Sequence, residues 1–283
     1  MIDLHCHSTA SDGTLTPAQL VEEAVKTGIK AIALTDHDTT SGLNEFHTTG
    51  DKYDIETISG IELAVNWYHS SIHLTGLYID KNSDYLQNYL KTVVKNRVIR
   101  NEKIIEKLNN LGMNISFDEW QNEAKNDVPG RPHLASCLVR KGFYANTRAV
   151  FNELLGNNKP GFVARFQPTP QEGIKAIHEA GGLAFWAHPC AMRNAPYSTI
   201  KKTGANLKGF GLDGLETRYS HFTPQEQDNA ERFAHQYKLL QSGGSDFHGD
   251  NSPGVFLGTG KGNDFNVPYH FLERIKEKLQ LNG

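Results

Sequence analysis

Short apolar runs that each end in an ionisable residue constrain this chain more than any other feature. Ala31-Ile32-Ala33-Leu34 leads directly into Thr35-Asp36-His37-Asp38. Thr57-Ile58-Ser59-Gly60-Ile61 ends at Glu62, Leu183-Ala184-Phe185-Trp186-Ala187 ends at His188, and a run from Leu239 to Ser245 precedes Asp246 and His248. Helical patterns alternate with these runs, the clearest over 17–26, where Thr16 supplies an N-cap, Pro17 takes the first helical position and Gly28 stands where a C-cap is wanted. Alternating strands and helices argue for a parallel sheet with helical crossovers. Strands are expected over 2–4, 31–34, 56–62, 72–79, 183–187, 213–216 and 239–242. Seven strands in this rhythm favour an α/β barrel over an open sheet. The carboxyl ends of parallel barrel strands open on one face, and active sites are built there.

The rhythm changes over 84–166, where helices are expected at 85–111, 118–125, 132–141 and 147–155 with no convincing buried strand between them. This segment reads as a helical insertion that caps a barrel made of residues 1–83 and 167–283. Pro168, Thr169 and Pro170 restart the alternation with a helix over 170–180.

A net charge of −3 gives no global attraction to nucleic acid or to an anionic membrane, so polyanion binding needs a local cluster of cations. Arg97, Arg100 and Lys103 fall near one helical face within the insertion and form such a strip. The three cysteines, Cys6, Cys137 and Cys190, are odd in number and widely spaced, which argues against a disulfide framework and for a reducing, cytoplasmic setting. No stretch approaches the roughly 18 apolar residues of a membrane helix, and no signal peptide is expected.

His5 and His7, at i and i+2, project to one side of an extended strand and can reach one cation, while Cys6 points away. Asp12 follows closely, and His73 lies within its own apolar run. The set His5, His7, Asp12, His37, Glu62, His73, His188, Asp246 and His248 is too large for one tetrahedral ion and suits two or three ions that share bridging carboxylates. Any one of these residues alone would pass as a partly exposed polar side chain. Cys6 and Cys190 are read as small thiols packed behind ligands. Asp36 and Asp38 are read as groups that orient ligating imidazoles. His47, His69, His178, His235 and His270 are read as surface or helix-face residues without partners.

The motifs Asp3-Leu4-His5-Cys6-His7-Ser8 with Ser11-Asp12-Gly13, Leu34-Thr35-Asp36-His37-Asp38, Gly60-Ile61-Glu62, Ala187-His188-Pro189 and Gly243-Gly244-Ser245-Asp246-Phe247-His248 resemble those of the polymerase and histidinol phosphatase (PHP) superfamily of metal-dependent phosphoesterases. The resemblance implies a distorted seven-stranded β/α barrel with a trinuclear site, commonly manganese, with iron or zinc also suited to such donors. Carried over, His5, His7, Glu62 and Asp246 hold one ion, Glu62, His73 and His188 a second, and Asp12, His37 and His248 a third.

Within the superfamily the chain is most similar to the branch of 3′,5′-nucleoside bisphosphate phosphatases and 5′ to 3′ exoribonucleases. That placement implies hydrolysis of a phosphomonoester, or of a terminal phosphodiester on short 5′-phosphorylated RNA, by a water ionised between the metals. The catalytic set would be Asp12, His37, Asp246 and His248, with His221 reaching the leaving group. Arg97, Arg100, Asn101 and Lys103 would hold the neighbouring phosphate, with Arg131 as a bidentate clamp and His133 as a further donor. No membrane and no obligate protein partner is implied. Three alternatives are a small phosphomonoesterase resembling histidinol phosphatase, an amidohydrolase-type enzyme in which Glu62 replaces a carboxylated lysine, and a noncatalytic RNA-binding regulatory module.

Overall fold

Three helices begin with the same Thr-Pro step. Thr16, Thr169 and Thr223 each accept a hydrogen bond from the backbone N–H three residues on, and the side chains of Gln19, Glu172 and Glu226 accept one from the cap's own N–H. Each box satisfies two helix-end donors reciprocally, while the proline removes a third that would have no partner. In a computed structural model, which describes residues 1–68, 70–124, 130–191, 197–262 and 265–282, these caps start three helices that pack around one sheet. Two residues with sequence-based expectations, His69 and Lys125, lie outside the described residues.

The chain divides into two compact units, residues 1–90 with 167–283 and residues 91–166. The first begins β1 (Ile2–Cys6), α1 (Pro17–Lys26), β2 (Ala31–Leu34), α2 (Leu43–Tyr53), β3 (Glu56–Trp67) and β4 (Ser70–Leu77). Helix α3 (Asp84–Asn110) starts in the first unit and runs on into the second, which adds α4 (Phe117–Ala124), α5 (Arg131–Arg140) and α6 (Thr147–Val150). A π-helical turn, Phe151–Leu155, follows α6 directly. The first unit resumes with α7 (Pro170–Glu179), β5 (Leu183–Trp186), α8 (Tyr197–Gly209), β6 (Gly214–Tyr219), α9 (Pro224–Tyr237) and β7 (Leu240–Gly244). A short hairpin, β8 (Val255–Phe256) with β9 (Gly260–Lys261), and α10 (Tyr269–Asn282) complete it.

Strands β1 to β7 form one sheet in sequence order. Its two ends nearly meet: Asp246 N–H donates to the His5 carbonyl at 3.0 Å and His7 N–H to the Phe247 carbonyl at 3.0 Å. The result is the nearly closed seven-strand α/β barrel expected from the sequence, with one correction. β4 runs antiparallel to both β3 and β5, whereas the other pairs are parallel. Only residues 68–69 join β3 to β4, and a parallel pair needs a crossover of about a dozen residues or more. The reversal puts the amino-terminal half of β4 beside the carboxyl-terminal half of β3, so that His73 pairs with Ala64.

Two apolar clusters hold the first unit. One joins Cys6, Leu34, Ile61, Leu63 and Val65 of the strands to Leu20, Phe46, Ile174, Ile177 and Phe233 of the surrounding helices. The other joins Ile2, Leu4, Ala33, Ile58 and Phe185 to Phe271, Leu272 and Ile275 of α10. The second unit has its own core around Ile104, Leu108, Trp120, Leu134, Leu138, Val150 and Leu155.

Candidate metal centre

β1 delivers the first two imidazoles. Glu216, buried at the middle of β6, places Oε1 2.5 Å from His5 Nδ1 and accepts the His188 backbone N–H at 2.6 Å through Oε2. With Nδ1 committed, His5 turns Nε2 toward His7 Nε2 at 3.1 Å, Glu62 Oε2 at 3.4 Å and Asp246 Oδ1 at 3.4 Å. His7 Nε2 stands 3.3 Å from each of the same two carboxylate oxygens. A cation bound at about 2.1 Å sets its neighbouring ligand atoms roughly 3.0–3.4 Å apart, so these spacings match edges of a coordination polyhedron.

Asp12 reaches the same region although it is only five residues past His7. Ser11 N–H and Gly13 N–H both donate to the Ser8 carbonyl, at 3.1 and 2.9 Å, and fold the chain back. A side chain at 13 would stand 2.4 Å from the His7 carbonyl oxygen, which explains the glycine. Asp36 clamps this turn by accepting from Ser8 N–H at 2.8 Å, Ser8 Oγ–H at 2.7 Å and Ser11 Oγ–H at 2.6 Å. Asp12 Oδ1 then lies 3.3 Å from His248 Nε2 and 3.7 Å from His7 Nδ1, and Oδ2 lies 3.8 Å from His37 Nε2.

Glu62 is the hub. Its Oε1 is 2.9 Å from His73 Nδ1 and 3.0 Å from His188 Nε2. Its Oε2 is 2.9 Å from His37 Nδ1, yet neither Oε2 nor the buried His7 Nδ1 has a hydrogen-bond partner among the described residues. Buried polar atoms without partners are costly, and a cation beside each, one toward His5 and Asp246 and one toward Asp12, would satisfy them. The ligand-type atoms fall into overlapping groups: His7, Asp12, His37 and His248; His5, His7 and Asp246; His37, Glu62 and His73. Eight of the nine residues singled out in the sequence fall in these groups, His7 and His37 in two each, and the ninth, His188, joins them through Glu62 Oε1 at 3.0 Å. Two of them, His188 and Asp246, hold positive φ angles of 33° and 56°. Non-glycine residues seldom adopt that region, and it recurs at functional sites.

The electrostatics agree with the geometry. Burial alone would raise the Glu62 carboxyl, but the imidazoles of His37, His73 and His5 hold it well below the usual carboxylate range. Burial would likewise depress His37, yet Glu62, Asp12 and Asp38 push it up to about 10. His5 is raised against its burial by Glu216, Glu62 and Asp246, whereas His73 stays lowered because its burial and the neighbouring His188 and His37 outweigh Glu62. Without a metal, protonated imidazoles supply the countercharge.

Other expected residues lie outside the cluster. His221 is exposed, with its ring 5.5 Å from that of Tyr219, whose hydroxyl donates to Asp246 Oδ2 at 3.1 Å. Cys6, Cys137 and Cys190 are all free thiols, and burial pushes Cys190 up to about 12. His47 and His178 correct the reading of unpartnered histidines: His47 bonds the Thr57 and Ser59 hydroxyls at 2.7 Å each, and His178 bonds Asp213 at 2.7 Å. Their partners are distant in sequence and could not be inferred from it. Glu216 and Tyr219 were missed, although Glu216 ends an expected strand in the same way as the ligands do. Asp3 was also passed over, and it accepts from Ser245 N–H at 2.9 Å and Gly258 N–H at 2.8 Å behind the site.

The second unit holds the cations. Arg100 is buried at 7% exposure, with Nε donating to the Val163 carbonyl and an Nη to Asn101 Oδ1, each at 3.3 Å. Burial lowers its pKa to about 10, helped by the nearby guanidiniums of Arg131, Arg165 and Arg97. Arg131 donates to the Leu155 carbonyl at 3.1 Å, at the end of the π-helical turn. His133 Nδ1 accepts the Gly130 N–H at 3.0 Å, which puts the proton of a neutral ring on Nε2. Lys103 is exposed, and Arg165, absent from the sequence reading, takes its place in the cluster.

A family model for the PHP domain matches residues 3–143. The chain is 36% identical over 246 residues to a 5′-3′ exoribonuclease of Haemophilus influenzae, covering 87% of this chain and 89% of that one. It is 31% identical over 258 residues to a 3′,5′-nucleoside bisphosphate phosphatase of Chromobacterium violaceum, covering 91% and 90%. Its fold superposes with a TM-score of 0.81 on a protein of Bifidobacterium adolescentis assigned as a metal-dependent phosphoesterase, at 28% identity and covering 96% and 94% of the two chains. With these similarities joined to a nearly closed barrel and a buried histidine and carboxylate cluster, the chain belongs to the PHP-domain family.

Proposed function

We propose that this protein is a metal-dependent phosphoesterase that releases the 3′-phosphate of 3′,5′-nucleoside bisphosphates and removes 5′ nucleotides from short RNA. The observation that carries the reading is Glu62, a buried carboxylate whose Oε2 lacks a hydrogen-bond partner among the described residues while imidazoles and Asp246 surround it. Relatives named for both activities support it.

The donor set fits two or three ions, with manganese the assignment and iron or zinc compatible. His5, His7, Glu62 and Asp246 would hold one, Glu62, His73 and His188 a second, and Asp12, His37 and His248 a third. When bound, such ions bring the pKa of a coordinated water from 15.7 toward about 7 and offset charge on the nonbridging phosphate oxygens. The protein's own groups do the rest. Glu216 and Asp36 hold ligands and their loops in place, and Tyr219 fixes the orientation of Asp246. Asp12, the most exposed of the carboxylate ligands at 55%, marks the open side where phosphate arrives. His221 is assigned the proton delivered to the departing ribose oxygen. The guanidiniums of Arg97, Arg100, Arg131 and Arg165, with Asn101, Lys103 and His133, are assigned a phosphate of the substrate, because like charges held close together favour an anion among them. No helix among the described residues is long and apolar enough to cross a membrane, and the free thiols suit a reducing cytoplasm.

The test is an assay of manganese-loaded protein on adenosine 3′,5′-bisphosphate and on a short 5′-phosphorylated RNA, scoring phosphate against mononucleotide release. Asp12→Asn and His248→Ala should abolish turnover without unfolding the protein. Retained activity in those metal-loaded variants, or no product from either substrate with the wild type, overturns the reading.

A further inference from the structure

The β3–β4 hairpin continues five residues past Glu62, farther than the metal centre requires. Its antiparallel register pairs Glu62 with Thr75, Ala64 with His73 and Asn66 with Ser71. Paired residues share a face and side chains alternate along a strand, so all six lie on the face that bears Glu62 and His73. The opposite face anchors the hairpin. Leu63 and Val65 are fully buried, Trp67 donates from Nε1 to Thr203 Oγ1 at 3.0 Å, and the Trp67 ring meets Phe210 edge-on at 6.0 Å. Asn66 N–H donates to the Pro168 carbonyl at 2.8 Å, and Gln167 Nε2 to Ser71 Oγ at 2.6 Å. This overhang is therefore built and held.

On the Glu62 face the side chains become small and then polar: Ala64, then Asn66 and Ser71, both exposed. The Asn66 carboxamide makes no hydrogen bond among the described residues, and Ser71 Oγ–H is still available to donate. At the tip Tyr68 is 75% exposed and stands edge-on to Trp67 with ring centroids 4.6 Å apart. From Leu63 to Ile72 the sequence has no Asp, Glu, Lys or Arg. At about 3.3 Å per residue, Asn66 lies about 13 Å and Tyr68 about 20 Å along the strand from Glu62. A nucleoside bisphosphate that places its terminal phosphate among the ligands has nothing left to put there. An RNA chain continues past that phosphate.

We infer that the β3–β4 overhang is a subsite for RNA nucleotides lying 3′ of the scissile phosphate, with Asn66 and Ser71 bonding sugar and base edges and Tyr68 stacking on a base. The inference rests on the phosphoesterase reading and adds to it a place for the part of an oligonucleotide that a bisphosphate lacks. Stacking tolerates any base, because every base has a π-face.

The experiment compares wild-type, Tyr68→Ala, Tyr68→Phe and Asn66→Ala proteins, all manganese-loaded, on adenosine 3′,5′-bisphosphate and on a 5′-phosphorylated pentaribonucleotide. Losing one stacked base should raise KM for the pentanucleotide about tenfold in Tyr68→Ala. Its kcat should hold, Tyr68→Phe should restore KM, Asn66→Ala should show a smaller rise, and bisphosphate kinetics should stay within about twofold of wild type. An unchanged KM for the pentanucleotide in Tyr68→Ala, or an equal loss on both substrates, overturns the subsite. Wild-type protein inert toward both substrates overturns instead the phosphoesterase reading beneath it.

Discussion

Glu216→Gln tests how far the metal centre depends on a residue that touches no metal. The carboxylate serves two donors at once, His5 Nδ1–H through Oε1 at 2.5 Å and the His188 N–H through Oε2 at 2.6 Å. Glutamine has the same shape but only one acceptor oxygen. Whichever way the amide turns, its NH2 faces one of the two donors, and a buried donor without an acceptor costs about 1–3 kcal/mol. If the amide oxygen stays on His5, the backbone of His188 must shift, and His188 already sits at an uncommon φ of 33°. If it turns to His188, His5 loses the bond that fixes its ring and aims Nε2 at the cluster. Either way ligand geometry suffers, and second-sphere changes of this kind lower metal affinity about 10- to 100-fold. That range corresponds to about 1.4–2.7 kcal/mol, in line with one lost hydrogen bond. The assay is equilibrium dialysis against buffered free manganese, paired with thermal unfolding of metal-free protein. Wild-type manganese affinity in Glu216→Gln would refute the argument, and a lowered melting temperature alone would assign Glu216 to scaffolding.

Metal uptake near neutral pH should release protons, because His37, held up to about 10 in the metal-free protein, must become neutral to ligate. Apparent affinity should therefore rise with pH, and calorimetry in buffers of different ionisation enthalpy measures the protons; none released would sink the point. In metal-free protein the same raised pKa contributes stability that is fully present below about 6.5 and is lost as pH rises through about 10. Arg131→Met should raise KM for a 3′,5′-bisphosphate about tenfold or more while metal content stays at wild-type level, since a charge-assisted bond contributes about 1.5–3 kcal/mol; steady-state kinetics with metal analysis decides it. In Gly244→Ala the new Cβ would stand 2.3 Å from His5 Cβ and 2.4 Å from His5 N. That crowding should cost about 1–3 kcal/mol and weaken metal binding together with stability, and a denaturant melt within error of wild type would contradict it.

Local chemistry made much of the fold legible. The expected helix over 17–26 and strand over 31–34 match α1 and β2 residue for residue, since a Thr-Pro start, a glycine stop and a run of four apolar residues leave little freedom. β3 is longer than expected because Leu63, Val65 and Trp67 continue its buried face while β4 pairs beside it. The parallel expectation failed at β4, although the nine residues between Glu62 and Ile72 could already be seen to lack room for a helix. Helix α10 went unread because its apolar residues, Phe271, Leu272 and Ile275, make sense only against the strand residues they cover. At the site the ligand types were legible because each stands at an apolar run. Glu216, Tyr219 and Arg165 were not, since their roles depend on partners far along the chain.

The arrangement around Glu62 also explains how such a site can be built before any metal arrives. Five imidazoles, those of His5, His7, His37, His73 and His188, lie 2.9–3.4 Å from its two oxygens. A buried carboxylate in this position must be neutralised, and the raised pKa values of His5, His37 and His188 show the source of the charge. Protons on imidazole occupy the electrostatic role that cations take when bound, so the barrel can close around the cluster in either state. The antiparallel β4 is what makes this balance possible. It brings His73 to Glu62 from mid-strand, a direction no parallel strand end supplies, and His73 is depressed where His5, His37 and His188 are raised. A ligating imidazole nitrogen gives up its proton, so the protons that His5, His37 and His188 hold against Glu62 must leave as metal binds.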